Sequence, residues 1–514
     1  MTTKQPKGAP VLTYLDPNAA AADCESGSLR RTRVVKACSF FAPLLLGTLA
    51  ACSGGSSSTA ALPATSSAFY SHVIVVIQEN RSFDNIFAGA GITGADVATS
   101  GYNSVCSDPT VVTTCGQVPL VPLSFNSYGP DHSHASLVTE WNNGLMNGFD
   151  QLPASKFQAN PIPNSTSSPP LVPNPQTYLY AYLPPAEIHP YVQLATTYSL
   201  SDRMFSSGLA PSFPGHVFLV AGRGPAGDPT ETAPAPWGCP EPSTDTAELF
   251  NDPPTVPAVP PVYPCFDIPT IADLLDAKGV SWKYYIGQNP EPGTVEAEWD
   301  WGVNAFAAIK HIYNSPEYKT KLVPRNNFFS DVAAGTLPAV SWVTPNGNAS
   351  DHANIALSAD GPYWVSEIYE AIAQNPAYYG NTAIIVTWDD SGAWYDHVPP
   401  PTPLSFPMAA PYANYEGSTW GMRVPLIFIA ANATQAVSHR VRSFGSILGF
   451  IEHNFGLGNL NAQDVGTDAL SDLFNPKPGP TIAPIPRSQL LSHARRAYSV
   501  EYFREQPETP ADDQ

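Results

Sequence analysis

The chain has 514 residues, 43% of them hydrophobic and only 13% charged, which provides for a large core and excludes a chain disordered throughout. A formal net charge of −20 excludes a nucleic-acid binder that needs a basic stripe. Its 56 prolines predict a loop-rich surface of low charge, of the kind common outside the cytoplasm.

In chain order, the first feature is an export address. Arg30, Arg31, Arg33 and Lys36 make a positive run, and Ala37 to Ala51 follow as an apolar stretch too short to span a bilayer comfortably. The stretch ends on Leu49-Ala50-Ala51-Cys52, which resembles the lipobox of bacterial lipoproteins. That resemblance implies an exported protein held at the cell envelope through a lipidated Cys52, with a secreted, unlipidated product as the alternative. Arg30-Arg31 leaves twin-arginine export open beside the general route. Residues before Ser28 do not read as signal sequence and suggest a start codon set too far upstream. The expected organisation is a signal segment over 1–51, a tether over 52–68, one catalytic domain over 69–476 and a peripheral tail over 477–514.

Four cysteines lie beyond that address, Cys106, Cys115, Cys239 and Cys265, an even number suited to an oxidising compartment. Sequence proximity favours the pairs 106–115 and 239–265. A zinc site is the rival reading, and the chain lacks the tight C-x-x-C pair it would want. The remaining chain is strongly acidic, so an anionic ligand needs a locally positive site, most simply a metal.

The body alternates apolar, β-rich runs with helix-period segments, which predicts an α/β fold with a mainly parallel central sheet flanked by helices. Strands are expected at 72–77, 280–285, 339–343, 383–388 and 424–430. Most are continuous apolar runs, as strands covered on both faces require. Helices are expected at 190–197, at Ile271–Gly279 behind a Thr270 cap, and at 363–374 and 443–455. Two Pro-rich stretches, 153–175 and 225–264, read as surface excursions able to roof a cleft.

The chemistry gathers at strand ends, where open α/β sheets bind ligands. The first strand runs into Glu79-Asn80 and the fourth into Asp389-Asp390. Adjacent carboxylates behind a buried strand repel one another and lose hydration unless a cation neutralises them. Together these four residues would offer an all-oxygen shell with three negative charges, suited to a hard divalent ion or a borderline one such as zinc. Read singly, Glu79 could cap a helix and the two aspartates could make a turn. Ser212, in "APSFPG", precedes an apolar helical run expected from about Val217, where a helix N-terminus would favour an alkoxide and an attached phosphate; an ordinary N-cap serine is the alternative. His132 and His134 sit in "GPDHSHAS", where Asp131 and the two rings could also hold a metal, while His352 and His397 follow strands. His189, His216, His311, His439 and His453 read as structural.

These pieces in this order resemble the bacterial phosphoesterase family that includes secreted acid phosphatases and phosphatidylcholine-cleaving phospholipases C. The resemblance runs from about His72 to Phe455 and rests on "QENRSFDNIF", "DHSHAS" with "WNNGLMNGFD", "SDRMF", "APSFPG", "TIADLLDAKGVSWKYY", "DHANIA", "WDDSGAWYDHVPPP" and "GMRVPLIFIA". It implies an alkaline-phosphatase-like core and one divalent metal ion held by Glu79, Asn80, Asp389 and Asp390. It also implies Ser212 as nucleophile, with His134 and His352 contacting the phosphoryl group. Gly215-His216 stand where many relatives carry Asn-Arg, and Ser391-Gly392-Ala393 replaces a double-glycine turn. Asp390 in place of Glu, with Ser212 in place of Thr, tilts the expectation toward an acid phosphatase acting on small phosphorylated substrates. A phospholipase C cleaving phospholipid head groups is the alternative, and a lipoprotein that binds phosphorylated ligands without turnover is the second.

Overall fold

The computed structural model describes residues 68–106, 116–158, 172–223, 227–229, 238–240, 247–249, 263–287, 303–356, 358–401, 420–477 and 481–491. The export segment, Cys52 and the tether, Cys115, and most of both Pro-rich stretches lie outside the described residues.

Eight strands form one sheet: β1 (His72–Gln78), β2 (Ser199–Ser207), β3 (Trp282–Ile286), β4 (Leu322–Pro324), β5 (Val340–Val343), β6 (Thr382–Trp388), β7 (Trp420–Ile429) and β8 (Val437–Ser438). Their spatial order is β4-β3-β5-β1-β6-β7-β2-β8. Strand β7 runs antiparallel to both its neighbours and every other pairing is parallel, so the sheet is mixed and mostly parallel. All of β6, and β1 apart from its first residue, is buried, as continuous apolar runs demand when helices cover both faces.

Eight helices matter here: α1 (Phe83–Phe87), α2 (His134–Trp141), α3 (His189–Thr197), α4 (Ser212–Ala221), α5 (Ile271–Lys278), α6 (Asn327–Ala334), α7 (Asp360–Ala373) and α8 (Phe444–Phe455). Helix α7 packs on α3 and α6, while α4 packs on α5 and α8. The expected caps are present: Thr270 and Asp273 make a reciprocal capping box, and Gly279 closes α5 in the left-handed conformation.

Several expectations need correction. Strand β2 is not among the expected strands, because Ser199, Ser201, Asp202, Ser206 and Ser207 break up any apolar run; in the fold all five are buried. Their polar atoms are satisfied individually, Ser199 by Leu473 O (2.8 Å) and Ser207 by Gln463 (2.5 Å). Helix α4 begins at Ser212 itself, since Pro214 falls in the first turn, where a missing N–H costs nothing. The tail is not wholly peripheral: Ile485 and Leu490 join the main core, and Ile485 N donates to Tyr369 Oη at 2.7 Å. Cys239 and Cys265 form the expected disulfide, and Cys106 is disulfide-bonded as well.

A second, smaller apolar cluster lies apart from the main core. It joins Leu137 and Trp141 of α2, Leu209, Ala353 and the run Ala393-Trp394-Tyr395. Each of these positions lies within seven residues of His134, Ser212, His352 or Asp390, so this cluster braces the loops that carry the candidate chemistry.

Candidate active site

The parallel register explains why β1 ends as it does. Gln78 lies opposite Trp388, so the next residues, Glu79-Asn80 and Asp389-Asp390, emerge side by side from the carboxyl ends of two adjacent strands. The ladder continues one step, with Asp389 N donating to Gln78 O at 3.0 Å. Asn80 then turns into the left-handed region (φ 57°), which asparagine tolerates better than most residues, and its backbone N–H donates to Asp389 Oδ1 at 2.9 Å. Gly392 is required at the facing turn: its φ is +58°, and a Cβ there would come within 2.1 Å of Asn80 O.

Ser212 meets this pair of strand ends from the other direction. It is the first residue of α4, and its Oγ lies 3.3 Å from Asn80 Oδ1 and 3.2 Å from Asp390 Oδ2. The hydroxyl therefore does not cap the helix; it sits at the positive end of a ten-residue helix with two oxygen acceptors before it. Gly392 N holds the other oxygen of Asp390 at 2.6 Å, which fixes the carboxylate's orientation.

Glu79, Asp389 and Asp390 are all buried. Burial, and after it the charge of Glu79, pushes the pKa of Asp389 up to about 7. Asp389 Oδ2 accepts no hydrogen bond among the described residues. Three enclosed carboxyl groups with an unsatisfied inward oxygen, beside the carboxamide of Asn80, are a donor set that fits a divalent cation.

The histidines divide differently from expectation. His132 Nδ1 donates to Pro130 O at 3.0 Å, which leaves Nε2 to accept from Asn80 Nδ2 at 2.8 Å. That bond also turns the Asn80 oxygen toward Ser212. His352 Nδ1 donates to Ala353 O (2.6 Å), and its ring stands edge-to-face with His132 at 5.3 Å between centroids. His134, also expected at the phosphoryl group, donates from Nδ1 to Leu209 O at 2.6 Å, on the loop just before Ser212. The structure thus brings Glu79, Asn80, Asp389, Asp390 and Ser212 together, joins His352 to them through His132, and sets His134 against the supporting loop.

One residue read as structural belongs to the group. His216, a turn beyond Ser212 on α4, places Nε2 2.9 Å from Glu79 Oε1 and 3.8 Å from Asp389 Oδ2. Its i+4 spacing from Ser212, on the same helix face, was the signal available in the sequence. A second group of acidic and imidazole side chains, Asp84, Asp396 and His397, is built otherwise. Arg423 already fills it, with Nη2 3.1 Å from Asp84 and Nε 2.9 Å from Asp396, so its charges are matched without an ion.

A mostly parallel α/β sheet with an acidic pocket and a helix-borne serine at its strand ends defines the general class, and the sequence agrees. The chain belongs to the Phosphoesterase family, whose profile matches residues 70–458. Phospholipase C B of Mycobacterium tuberculosis is 28% identical over 362 residues, covering 65% of this chain and 60% of that protein. Hemolytic phospholipase C of Pseudomonas aeruginosa is 24% identical over 485 residues, covering 85% of this chain and 60% of that one. The chain thus spans about 60% of the length of these curated relatives. Among solved structures, a Vibrio parahaemolyticus protein of the alkaline phosphatase superfamily aligns over 55% of this chain and 66% of its own, at 13% identity and a TM-score of 0.31. No helix among the described residues is long and apolar enough to cross a membrane.

Proposed function

We propose that this protein is a metal-dependent phosphoric-ester hydrolase that works through a phosphoserine on Ser212. The observation that carries the reading is the position of the Ser212 hydroxyl, at a helix N-terminus and within 3.3 Å of both Asn80 and Asp390. A divalent ion held by Glu79, Asn80, Asp389 and Asp390 would neutralise the carboxylates and supply Lewis-acid charge for the phosphoryl oxygens.

The chain's own residues perform the rest. Asp390 Oδ2 is placed to take the Ser212 proton as Oγ attacks phosphorus, and the helix N-terminus favours the charge that develops. His352 supplies the imidazole at the phosphoryl oxygens and the departing oxygen, while His132, with one nitrogen on Pro130 O and the other on Asn80, keeps the Asn80 oxygen turned toward Ser212. His134 holds the loop before Ser212 through Leu209 O. Water then cleaves the phosphoserine, and the proton returns to Oγ.

Small phosphomonoesters are the substrate class we favour, making the enzyme an acid phosphatase; the short Asp390 side chain and the serine nucleophile support this. Release of phosphocholine from phosphatidylcholine is the second reading, supported by relatives named as phospholipases C. Lipidation at Cys52 and an envelope location belong to the same proposal. Purified protein and its Ser212→Ala variant, assayed for phosphate release from p-nitrophenyl phosphate and phosphocholine release from lecithin, decide between the readings. Turnover of the monoester alone is expected. Turnover of lecithin alone favours the second reading, and equal rates in parent and variant remove Ser212 as nucleophile.

A further inference from the structure

We propose that His216 is itself a ligand of the metal, so that the site carries one nitrogen donor and selects a borderline first-row ion of the zinc type over magnesium or calcium. The proposal rests on the reading above that Glu79, Asn80, Asp389 and Asp390 hold an ion.

Placement comes first. The imidazole is fully buried, and the donor atoms of His216, Glu79 and Asp389 all lie within 4.8 Å of one another. Five donors at roughly 2.0–2.2 Å from one ion stand about 3.0–3.6 Å from their nearest neighbours. The observed separations from Nε2, 2.9 Å to Glu79 and 3.8 Å to Asp389, bracket that range. Small adjustments of these three side chains would bring them to it.

Proton bookkeeping on the ring points the same way. Tyr284 Oη donates to Val303 O at 2.9 Å, which commits the phenol's single hydrogen. Its oxygen can therefore accept from the other ring nitrogen, His216 Nδ1, 3.5 Å away at the outer limit of a hydrogen bond. Without an ion, Nε2–H donates to Glu79 Oε1 at 2.9 Å; an ion bound there would displace that proton, and with Nδ1–H turned to Tyr284 the Nε2 lone pair would go to the ion. An outer hydrogen bond that sets the tautomer is also how metal-bound histidines are held.

Gly215 makes the approach possible. A Cβ at that position would lie 2.7 Å from the backbone oxygen of Asp389, so a larger residue would push α4 off the strand end. The Gly215-His216 pair thus acts as one unit: the glycine lets the helix close on Asp389, and the histidine fills the space that closure creates. An arginine at 216 would bring a competing positive charge to this edge of the pocket; an imidazole brings a donor atom. Imidazole nitrogen suits zinc, cobalt and nickel, whereas magnesium and calcium prefer oxygen throughout.

The test uses metal-stripped full-length protein, titrated with zinc and with magnesium for the parent, His216→Gln and Asp389→Asn. The His216→Gln variant is expected to lose zinc affinity by about 10²-fold or more while its magnesium affinity changes by less than about 3-fold. Cobalt(II) absorption bands should shift in the same variant. Zinc-edge X-ray absorption of the parent, which needs no folded variant, should show oxygen ligands with one imidazole. Unchanged zinc affinity and cobalt bands in His216→Gln, with binding lost in Asp389→Asn, would overturn the nitrogen ligand and leave the metal site standing. A zinc-loaded parent without imidazole scattering would do the same. A parent that binds no divalent ion takes down both proposals.

Discussion

Ser212 and Asp390 share a 3.2 Å hydrogen bond between buried side chains, one opening a helix and the other closing the end of a strand. Because Gly392 N holds Asp390 Oδ1, the oxygen that faces the serine cannot swing away. The hydroxyl's proton thus has a fixed acceptor before any substrate arrives.

Ser212→Ala is therefore expected to lower kcat by about 10³-fold or more, as removal of a covalent nucleophile does. It deletes one oxygen from a well-packed helix start, so the thermal midpoint should move by no more than a few degrees. Acid-quenched parent enzyme should carry phosphate on Ser212 by mass spectrometry. Activity retained in the alanine variant would reassign the nucleophile.

Removing the metal should abolish turnover, and a divalent ion should restore it. Asp389→Asn separates two effects of opposite sign. Metal affinity should fall at least about tenfold, because one of three carboxylates is gone. The stripped variant should nonetheless melt at or above the stripped parent near neutral pH, since Glu79 no longer faces a second buried charge. Metal analysis and paired thermal melts read both quantities, and a stripped variant clearly less stable than the stripped parent would count against mutual repulsion at this site.

The two histidines of the "DHSHAS" loop give a third contrast. His132 reaches Asn80, whereas His134 reaches a loop carbonyl. His132→Asn should lower kcat by about tenfold or more, because Asn80 loses the partner that fixes its orientation beside Ser212, and His134→Asn by less than that. The reverse ranking would return the phosphoryl contact to His134.

Away from the site, Glu452 on α8 lies against Asp464. Burial first, and then that neighbouring carboxylate, raises its pKa to about 9. The unfolded chain ionises this group in the ordinary carboxylate range, so the native state binds the extra proton. The contribution to stability is complete below about pH 4.5 and is lost as pH climbs toward 9. Glu452→Gln keeps a donor toward Asp464 and removes the titration. Its unfolding free energy should match the parent near pH 4 and exceed it near pH 8, by an amount on the order of a few kcal/mol. A constant offset across that range would refute this origin.

How much of this was legible in the sequence depends on the kind of signal. The strands at β1, β5 and β6 announced themselves as unbroken apolar runs, and the pairs Glu79-Asn80 and Asp389-Asp390 at two of their ends, three carboxylates and a carboxamide, pointed to a shared cation. Strand β2 gave no such signal, because its buried serines and Asp202 are made tolerable by individual partners such as His439, 237 positions away. Reversal of β7 was equally hidden; a strand's direction follows from its connections, and Pro425 is accommodated where the register shifts between Val424 and Leu426. His216 was passed over because a lone histidine in an apolar helix is ordinarily core. Only the approach of α4 to Asp389, which depends on Gly215, turns it toward the carboxylates.

The sheet's wiring bears on how the protein is made. The two strands that flank β1 begin at Val340 and Thr382, so a growing polypeptide emerges with its first strand and must wait for most of the chain before that strand can pair. The Glu79-Asn80 pair at its end stays solvated throughout that wait, and its burial comes late, with the closing of a very long loop. Slow, high-contact-order assembly follows, and so does a long interval in which an apolar ribbon must be shielded from other nascent chains.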